Sequence, residues 1–216
     1  MGLLNILEII KTTNKKIKLF NAVSGHFYAN KNNNVYNEKS YIAPQSPYGV
    51  SKASSFWLTK IFREWYGIKC CSGILFNHES PLRSNEFVTK KIINHCKLIK
   101  KGKLKHLYLG NINIYRDWGW APEYVEAMYL MLRQKDPKDL VIGSGKRHSL
   151  KSFIFEAFRL LKIPRNRLKA NTKKFIRRND IRSYRSDPRL AKKILKWKAK
   201  TSFKQIIKKM VYNELF

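Results

Sequence analysis

The stretch Ser46-Pro47-Tyr48-Gly49-Val50-Ser51-Lys52 decides how the rest of the chain is read. Serine caps helix N-termini well, and proline suits the first helical turn, where its missing N–H is not needed. A helix therefore starts here, and Tyr48 and Lys52, four residues apart, share one face of it near its beginning. A phenol with an ordinary pKa of about 10 is a poor base at neutral pH, and a cation held close favours its ionised form. The two side chains together have the composition of a proton-transfer device in which lysine tunes tyrosine. The same spacing also arises in incidental surface or core-edge pairs, so the surroundings must decide between the two.

Outward from this point the helix runs on through Phe56, Trp57, Ile61 and Trp65 and ends near Gly67, and an apolar strand over 70–76 follows. Upstream, Leu3, Leu4, Ile6, Leu7, Ile9 and Ile10 predict a helix over 2–11. A strand over 17–23 then leads into a polar loop at 29–45, with Asn32-Asn33-Asn34 as a solvated turn. Downstream the pattern predicts a helix over 86–101, a short strand at 107–109, a strand carrying Arg116-Asp117-Trp118-Gly119 and a helix over 121–134. A strand over 139–143 adds to a parallel sheet after that helix. The remainder, 149–216, reads as a small helical lobe. Gly143 and Gly145 ahead of basic residues read as a turn in preference to a phosphate loop.

The run Gly73-Ile74-Leu75-Phe76-Asn77-His78-Glu79-Ser80-Pro81 is far more specific than the Tyr/Lys spacing. Together with Ser46 to Lys91 as a whole, with Arg116-Asp117-Trp118-Gly119 ahead of a helix, and with Arg177 and Asp180 followed by Leu195-Lys196-Trp197, it resembles the GDP-mannose 4,6-dehydratase family of extended short-chain dehydrogenase/reductases. The resemblance covers nearly the whole chain. It implies an α/β fold: a partial Rossmann-like doubly wound parallel sheet lacking its first strands, with a small C-terminal substrate-binding lobe. Residues 1–80 would be the C-terminal half of an NADP-binding domain. Residues 81–216 would be mainly the GDP-sugar-binding region, with 115–143 packing back on the sheet.

The resemblance also assigns roles. Tyr48 and Lys52 would be catalytic and would touch NADP, with His78 and Arg83 as further cofactor contacts. Asn77, Val88, Lys91 and Arg116 would line the GDP-mannose pocket, and Arg177 and Asp180 would grip the diphosphate and a ribose hydroxyl. Planar guanidinium groups suit a diphosphate because they donate in a fixed fork; taken without the motif, Arg116 and Arg177 read as solvated charges. In the family's reaction the tyrosinate takes the proton of the hydroxyl at carbon 4 while hydride leaves to NADP. A glutamate then takes the carbon 5 proton and helps expel the carbon 6 hydroxyl as water, and hydride returns to carbon 6.

Two departures stand out. Where the family has a Ser/Thr, a spacer and that glutamate, this chain has Ser24, Gly25 and His26. Ser24 keeps the hydroxyl. Histidine can do acid/base work near neutral pH but adds positive charge when protonated, so His26 reads either as a replacement catalytic group or as a polar residue at a strand end. Leu82, where arginine is common, reads only as tolerated variation, with Arg83 retained. The second departure is the Gly-x-x-Gly-x-x-Gly turn that binds the cofactor pyrophosphate at a helix N-terminus, which this sequence does not contain. A gene remnant, one half of a split protein and a late start codon each fit that observation, and each predicts weak NADP binding by this chain alone. A nucleotide-sugar epimerase or reductase, and a non-enzymatic degenerate subunit, are the alternative functions.

Composition sets the limits. The chain has 216 residues, 44% of them apolar and 13% aromatic, which suits a folded chain with a sizeable core and excludes a disordered tail. A net charge of +31 would ordinarily suggest nucleic-acid binding. The basic residues are spread along the chain, however, so no specific nucleic-acid partner is expected, and only non-specific sticking to polyanions at low salt. Cys70, Cys71 and Cys96 lack metal-ligand spacing and read as buried free thiols of a reducing compartment. No membrane span and no signal peptide are visible, which points to the cytoplasm. Family members assemble as dimers or tetramers, so a homo-oligomer, or a second chain, is the expected partner, with helices 48–66 and 86–101 as candidate contact surfaces.

Overall fold

The computed structural model describes residues 2–28, 35–173 and 183–215. The N-terminal part contains α1 (Gly2–Thr13), β1 (Leu19–Ser24), β2 (Val35–Tyr36), α2 (Pro47–Tyr66), β3 (Cys70–Leu75), β4 (Asn77–Glu79) and α3 (Val88–Lys100). Then come β5 (Leu107–Tyr108), β6 (Tyr115–Arg116), β7 (Trp118–Trp120), α4 (Ala121–Arg133), β8 (Leu140–Ile142) and β9 (His148–Ser149). The chain ends with α5 (Leu150–Leu161), β10 (Leu168–Lys169), β11 (Arg185–Ser186), α6 (Arg189–Leu195) and α7 (Phe203–Tyr212).

The main sheet is parallel, in the order β1-β3-β8, with Leu19 opposite Cys70 and Gly73 opposite Leu140. Side chains alternate across a strand, and β3 shows it. Ile74 packs with Val23, Phe27, Phe56 and Val141 on the α2 face, whereas Cys71 and Leu75 pack with Tyr124, Ala127 and Met131 on the α4 face. Helices on both faces leave β3 buried along its whole length, which explains its unbroken apolar run. This is the doubly wound α/β arrangement expected from the sequence. At Gly73 a Cβ would lie 2.4 Å from the ring of Phe20 on the neighbouring strand, so the sheet face leaves room only for glycine there.

α2 owes its position to its ends and to one face. Ser46 accepts a hydrogen bond from the Gly49 amide at 3.0 Å, Pro47 occupies the first turn, and the helix stops at Gly67, whose φ of 68° is left-handed. Ala53, Phe56, Thr59 and Phe62 turn inward at helical spacing. Asn21 of β1 ties helix to sheet by donating to Thr59 Oγ1 at 2.9 Å.

A second core joins α3, α5 and α7 with β5 and β7. Ile92, Ile93, Phe153, Ile154, Ile206 and Ile207 are fully buried in it, each contributing roughly 1.5–3 kcal/mol by leaving water. The C-terminal residues do not all join this helical cluster. β11 pairs with β2, α6 places Ala191 and Leu195 against the sheet, and Trp197 donates its indole N–H to the Glu123 carbonyl at 3.0 Å. Among the described residues β1 pairs on one side only, and the apolar side chains Leu4, Ile6, Ile9 and Ile17 beside that edge are exposed. No described helix is long and apolar enough to cross a membrane.

Candidate active site

β1 ends at Ser24, whose hydroxyl accepts from the His26 amide at 3.3 Å and caps a single 3₁₀ turn, Gly25–Phe27. That turn carries His26 over the start of α2. The approach is close: a Cβ on Gly49 would sit 3.0 Å from the His26 carbonyl oxygen, which accounts for the glycine inside the Ser-Pro-Tyr-Gly start. The His26 and Tyr48 rings meet edge-on with centroids 6.1 Å apart. Lys52 lies 5.8 Å from the Tyr48 ring centre and donates to the Ala22 carbonyl at 2.9 Å, so it reaches the phenol through its field and not by a direct bond. Tyr48 is 54% exposed and faces a cavity of about 980 Å³.

That cavity opens beyond the C-terminal ends of β1 and β3, the usual ligand position in open parallel sheets. Every site residue expected from the sequence that falls within the described segments lines it. Ser24, His26, Tyr48 and Lys52 form the β1–α2 wall, Asn77, His78 and Arg83 come from the segment after β3, Val88 and Lys91 from the start of α3, and Arg116 from β6. Arg177 and Asp180 lie outside the described residues, as does Asn32-Asn33-Asn34.

Within the Asn-His-Glu-Ser-Pro segment the polar groups are tied to one another. His78 packs against the Tyr124 ring at 4.8 Å, its Nδ1 sits 2.9 Å from the Phe76 carbonyl, and burial lowers its pKa. Glu79 is 1% exposed, accepts from Thr89 at 2.8 Å and faces Arg83 Nε at 3.6 Å. Burial pushes Glu79 up to about 7, with Arg83 and Thr89 opposing the rise. Arg83 stacks on Phe87 at 3.6 Å, and its buried Nε has no hydrogen-bond acceptor among the described residues. With Lys52, Arg83, Lys91 and Arg116 against Glu79 and Glu86, the lining is basic and suits an anionic ligand.

Behind the Arg116 wall, buried in the core, Tyr184 lies with its ring centre 5.3 Å from the Arg116 guanidinium carbon. Its hydroxyl sits 2.9 Å from His26 Nε2 and 2.5 Å from Asn77 Oδ1. The wall is anchored by Asp117, buried completely, which accepts from the Ser144, Gly145 and Ser186 amides at 2.9, 3.0 and 3.0 Å and from both serine hydroxyls. Burial raises the Asp117 pKa, and those donors oppose the rise. The Ser144 and Gly145 amides of the Gly143-Ser144-Gly145 loop are thus committed to a carboxylate, in keeping with a turn and not a phosphate cradle.

The family model for GDP-mannose 4,6 dehydratase matches residues 1–210. The chain belongs to the GDP-mannose 4,6-dehydratase family. It is 37% identical to GDP-mannose 4,6 dehydratase of Dictyostelium discoideum, covering 100% of this chain and 66% of that protein. Against GDP-mannose 4,6 dehydratase 1 of Arabidopsis thaliana the identity is 37%, covering 99% and 60%, and against the Homo sapiens enzyme 34%, covering 100% and 63%. The chain therefore spans less than two thirds of the length of these relatives. Two solved structures share the fold: RMD from Pseudomonas aeruginosa complexed with NADPH, at a TM-score of 0.89 and 20% identity over 99% of this chain and 72% of that one, and dTDP-glucose 4,6-dehydratase from Bacillus anthracis in complex with NAD, at 0.87 and 20% over 98% and 65%.

For a member of the GDP-mannose 4,6-dehydratase family, three residues at this site carried no signal in periodicity or spacing. Tertiary packing brings Glu79 to the cavity and Tyr184 behind its lining residues His26 and Asn77, and Asp117 reads in sequence only as the neighbour of Arg116. A single tyrosine beside a run of charges, as Tyr184 is, gives no hint that its hydroxyl meets a histidine 158 residues away.

Proposed function

We propose that this chain carries the acid/base and sugar-binding portion of a GDP-mannose 4,6-dehydratase, converting GDP-mannose to GDP-4-keto-6-deoxymannose and water. The observation that carries the reading is the convergence of Tyr48, Lys52, His26, Asn77 and Arg116 on one basic cavity in a chain of this family. Tyr48 would take the proton from the hydroxyl at carbon 4, with the Lys52 ammonium favouring the phenolate. His26 would take the proton from carbon 5 and return it to the departing carbon 6 hydroxyl, which leaves as water. Arg116 and Lys91 would hold the diphosphate, with Arg177 and Asp180 as the further proposed contacts, and Asn77 and Val88 would face the sugar.

A nicotinamide dinucleotide suits the residues present. Arg83 has a buried Nε with no acceptor among the described residues, and Lys52 and His78 border the same space. Such a cofactor, when bound, supplies the hydride acceptor for carbon 4 and the donor for carbon 6. The solved relatives hold NAD and NADPH, and NADP is the form we propose here. The test is GDP-mannose binding and turnover with added NADP, followed by mass of the keto-deoxy product, beside a His26→Glu variant. Saturable GDP-mannose binding stronger than that of UDP-glucose, with product from either form, is the expected result. Equal binding of both sugars, or none, would overturn the reading; reduction of a 4-keto sugar without dehydration would favour a reductase.

A further inference from the structure

Tyr184 has one proton to give and two described partners in reach, and which of them receives it sets what the phenol oxygen offers His26. The phenol oxygen is 2.5 Å from Asn77 Oδ1 and 2.9 Å from His26 Nε2. An amide oxygen can only accept, so the phenol proton goes to Asn77. The phenol is 3% exposed, and burial raises its pKa above the ordinary range, which keeps that proton in place. The phenol oxygen is then left only as an acceptor towards His26, and the ring nitrogen facing it must be the one that carries hydrogen.

We propose that Tyr184, oriented by Asn77, is a positioning residue that fixes His26 as the Nε2–H tautomer and makes Nδ1 the ring atom that takes up and releases protons. The ring is held further by edge contacts with Tyr184 at 5.4 Å and Tyr48 at 6.1 Å between centroids, so tautomer and orientation are set together. In the proton step the substrate C–H bond gives its electron pair to carbon, the proton moves to Nδ1, and the resulting imidazolium keeps Nε2–H on Tyr184. No electron is gained or lost by the protein, and the proton returns from Nδ1 to the leaving hydroxyl. The same arrangement commits the Asn77 oxygen to Tyr184, so what Asn77 offers a ligand is its amide N–H donors. The inference rests on the proposed dehydratase reading for the use of the proton, but the tautomer itself does not depend on it.

The test reads ring nitrogens directly, by long-range proton–nitrogen NMR of the ligand-free chain at about pH 8, where an ordinary imidazole is neutral. His26 is assigned by the signals lost in His26→Gln. In the unaltered chain His26 is expected as Nε2–H. In Asn77→Leu the phenol proton loses its acceptor and turns to Nε2, so His26 should invert to Nδ1–H, a change that a purely packing role for Tyr184 would not produce. In Tyr184→Phe the phenol acceptor is lost, and the share of the Nε2–H tautomer should fall. Finding Nδ1–H in the unaltered chain, or an unchanged tautomer in Asn77→Leu, overturns the inference even if GDP-mannose binds. The expected tautomers in a chain that binds no GDP-mannose would support the inference while the dehydratase reading fails.

Discussion

A buried carboxylic acid beside a cation can settle on either charge state, and at Glu79 desolvation wins. Its pKa rises to about 7 although Arg83 and Thr89 pull it down, because the carboxyl is sealed and the arginine stands at 3.6 Å, beyond a good hydrogen bond. Since the folded value lies above the unfolded one of about 4.3, the group's stabilising contribution is complete below that value and is lost as pH rises through about 7. Glu79→Gln removes the titration. The stability of the variant relative to the unaltered chain should therefore increase between pH 5 and pH 8, by up to about 3 kcal/mol, read from urea midpoints at the two pH values. A difference that stays flat with pH would mean that Glu79 ionises as an ordinary carboxylate held by Arg83. Residues of this kind show the limit of reading a sequence. Tyr48 and Lys52 were legible because helical geometry puts them on one face, and His78, Asn77 and Arg116 because a motif names them. Glu79 stands in the same motif, yet its burial depends on Thr89 and on the packing of α3.

Elements were more legible than sites, for a physical reason that α2 makes plain. Its start needs only local chemistry: a serine that accepts from the amide three residues on and a proline in the first turn. Replacing Ser46 by alanine leaves the Gly49 amide without that acceptor and should cost about 1 kcal/mol, or roughly 2–4 °C in melting temperature for a chain of this size. Ser46→Asn should retain most of the stability. Calorimetry on the two variants separates a lost cap from general disturbance, since an equal fall in both would discount the cap. Helices α1 to α4 lie close to the positions that apolar periodicity predicts, because each buries one continuous face, whereas α5, α6 and α7 fall in a stretch expected only as a helical lobe. The two- and three-residue strands β2, β4, β9 and β11 have no such pattern. They exist because distant segments meet: β11 pairs with β2, and β6 with β9. The return of α6 to the sheet was hidden for the same reason, as its basic residues obscure two inward side chains, Ala191 and Leu195.

At the scale of the whole molecule, the net charge of +31 acts on stability and on ligand binding with opposite signs. Like charges spread over one folded chain repel, and folding brings them closer together, so the compact state carries an electrostatic penalty that salt relieves. The Debye length falls from about 30 Å at 0.01 M to about 10 Å at 0.1 M, from a distance comparable with a whole domain to one comparable with neighbouring side chains. Melting temperature should therefore rise as sodium chloride is added over this range. The cavity responds the other way. Lys52, Arg83, Lys91 and Arg116 outnumber Glu79 and Glu86 around it, so the proposed nucleotide-sugar ligand, being anionic, would be drawn in by a field that the same salt screens. Affinity for GDP-mannose should fall with salt while the protein becomes more stable. Titration calorimetry and thermal unfolding on the same samples check both halves. If binding and stability rise together, the ligand is not held by the cavity's charge, and any loss of affinity at low salt would instead reflect a partly unfolded population.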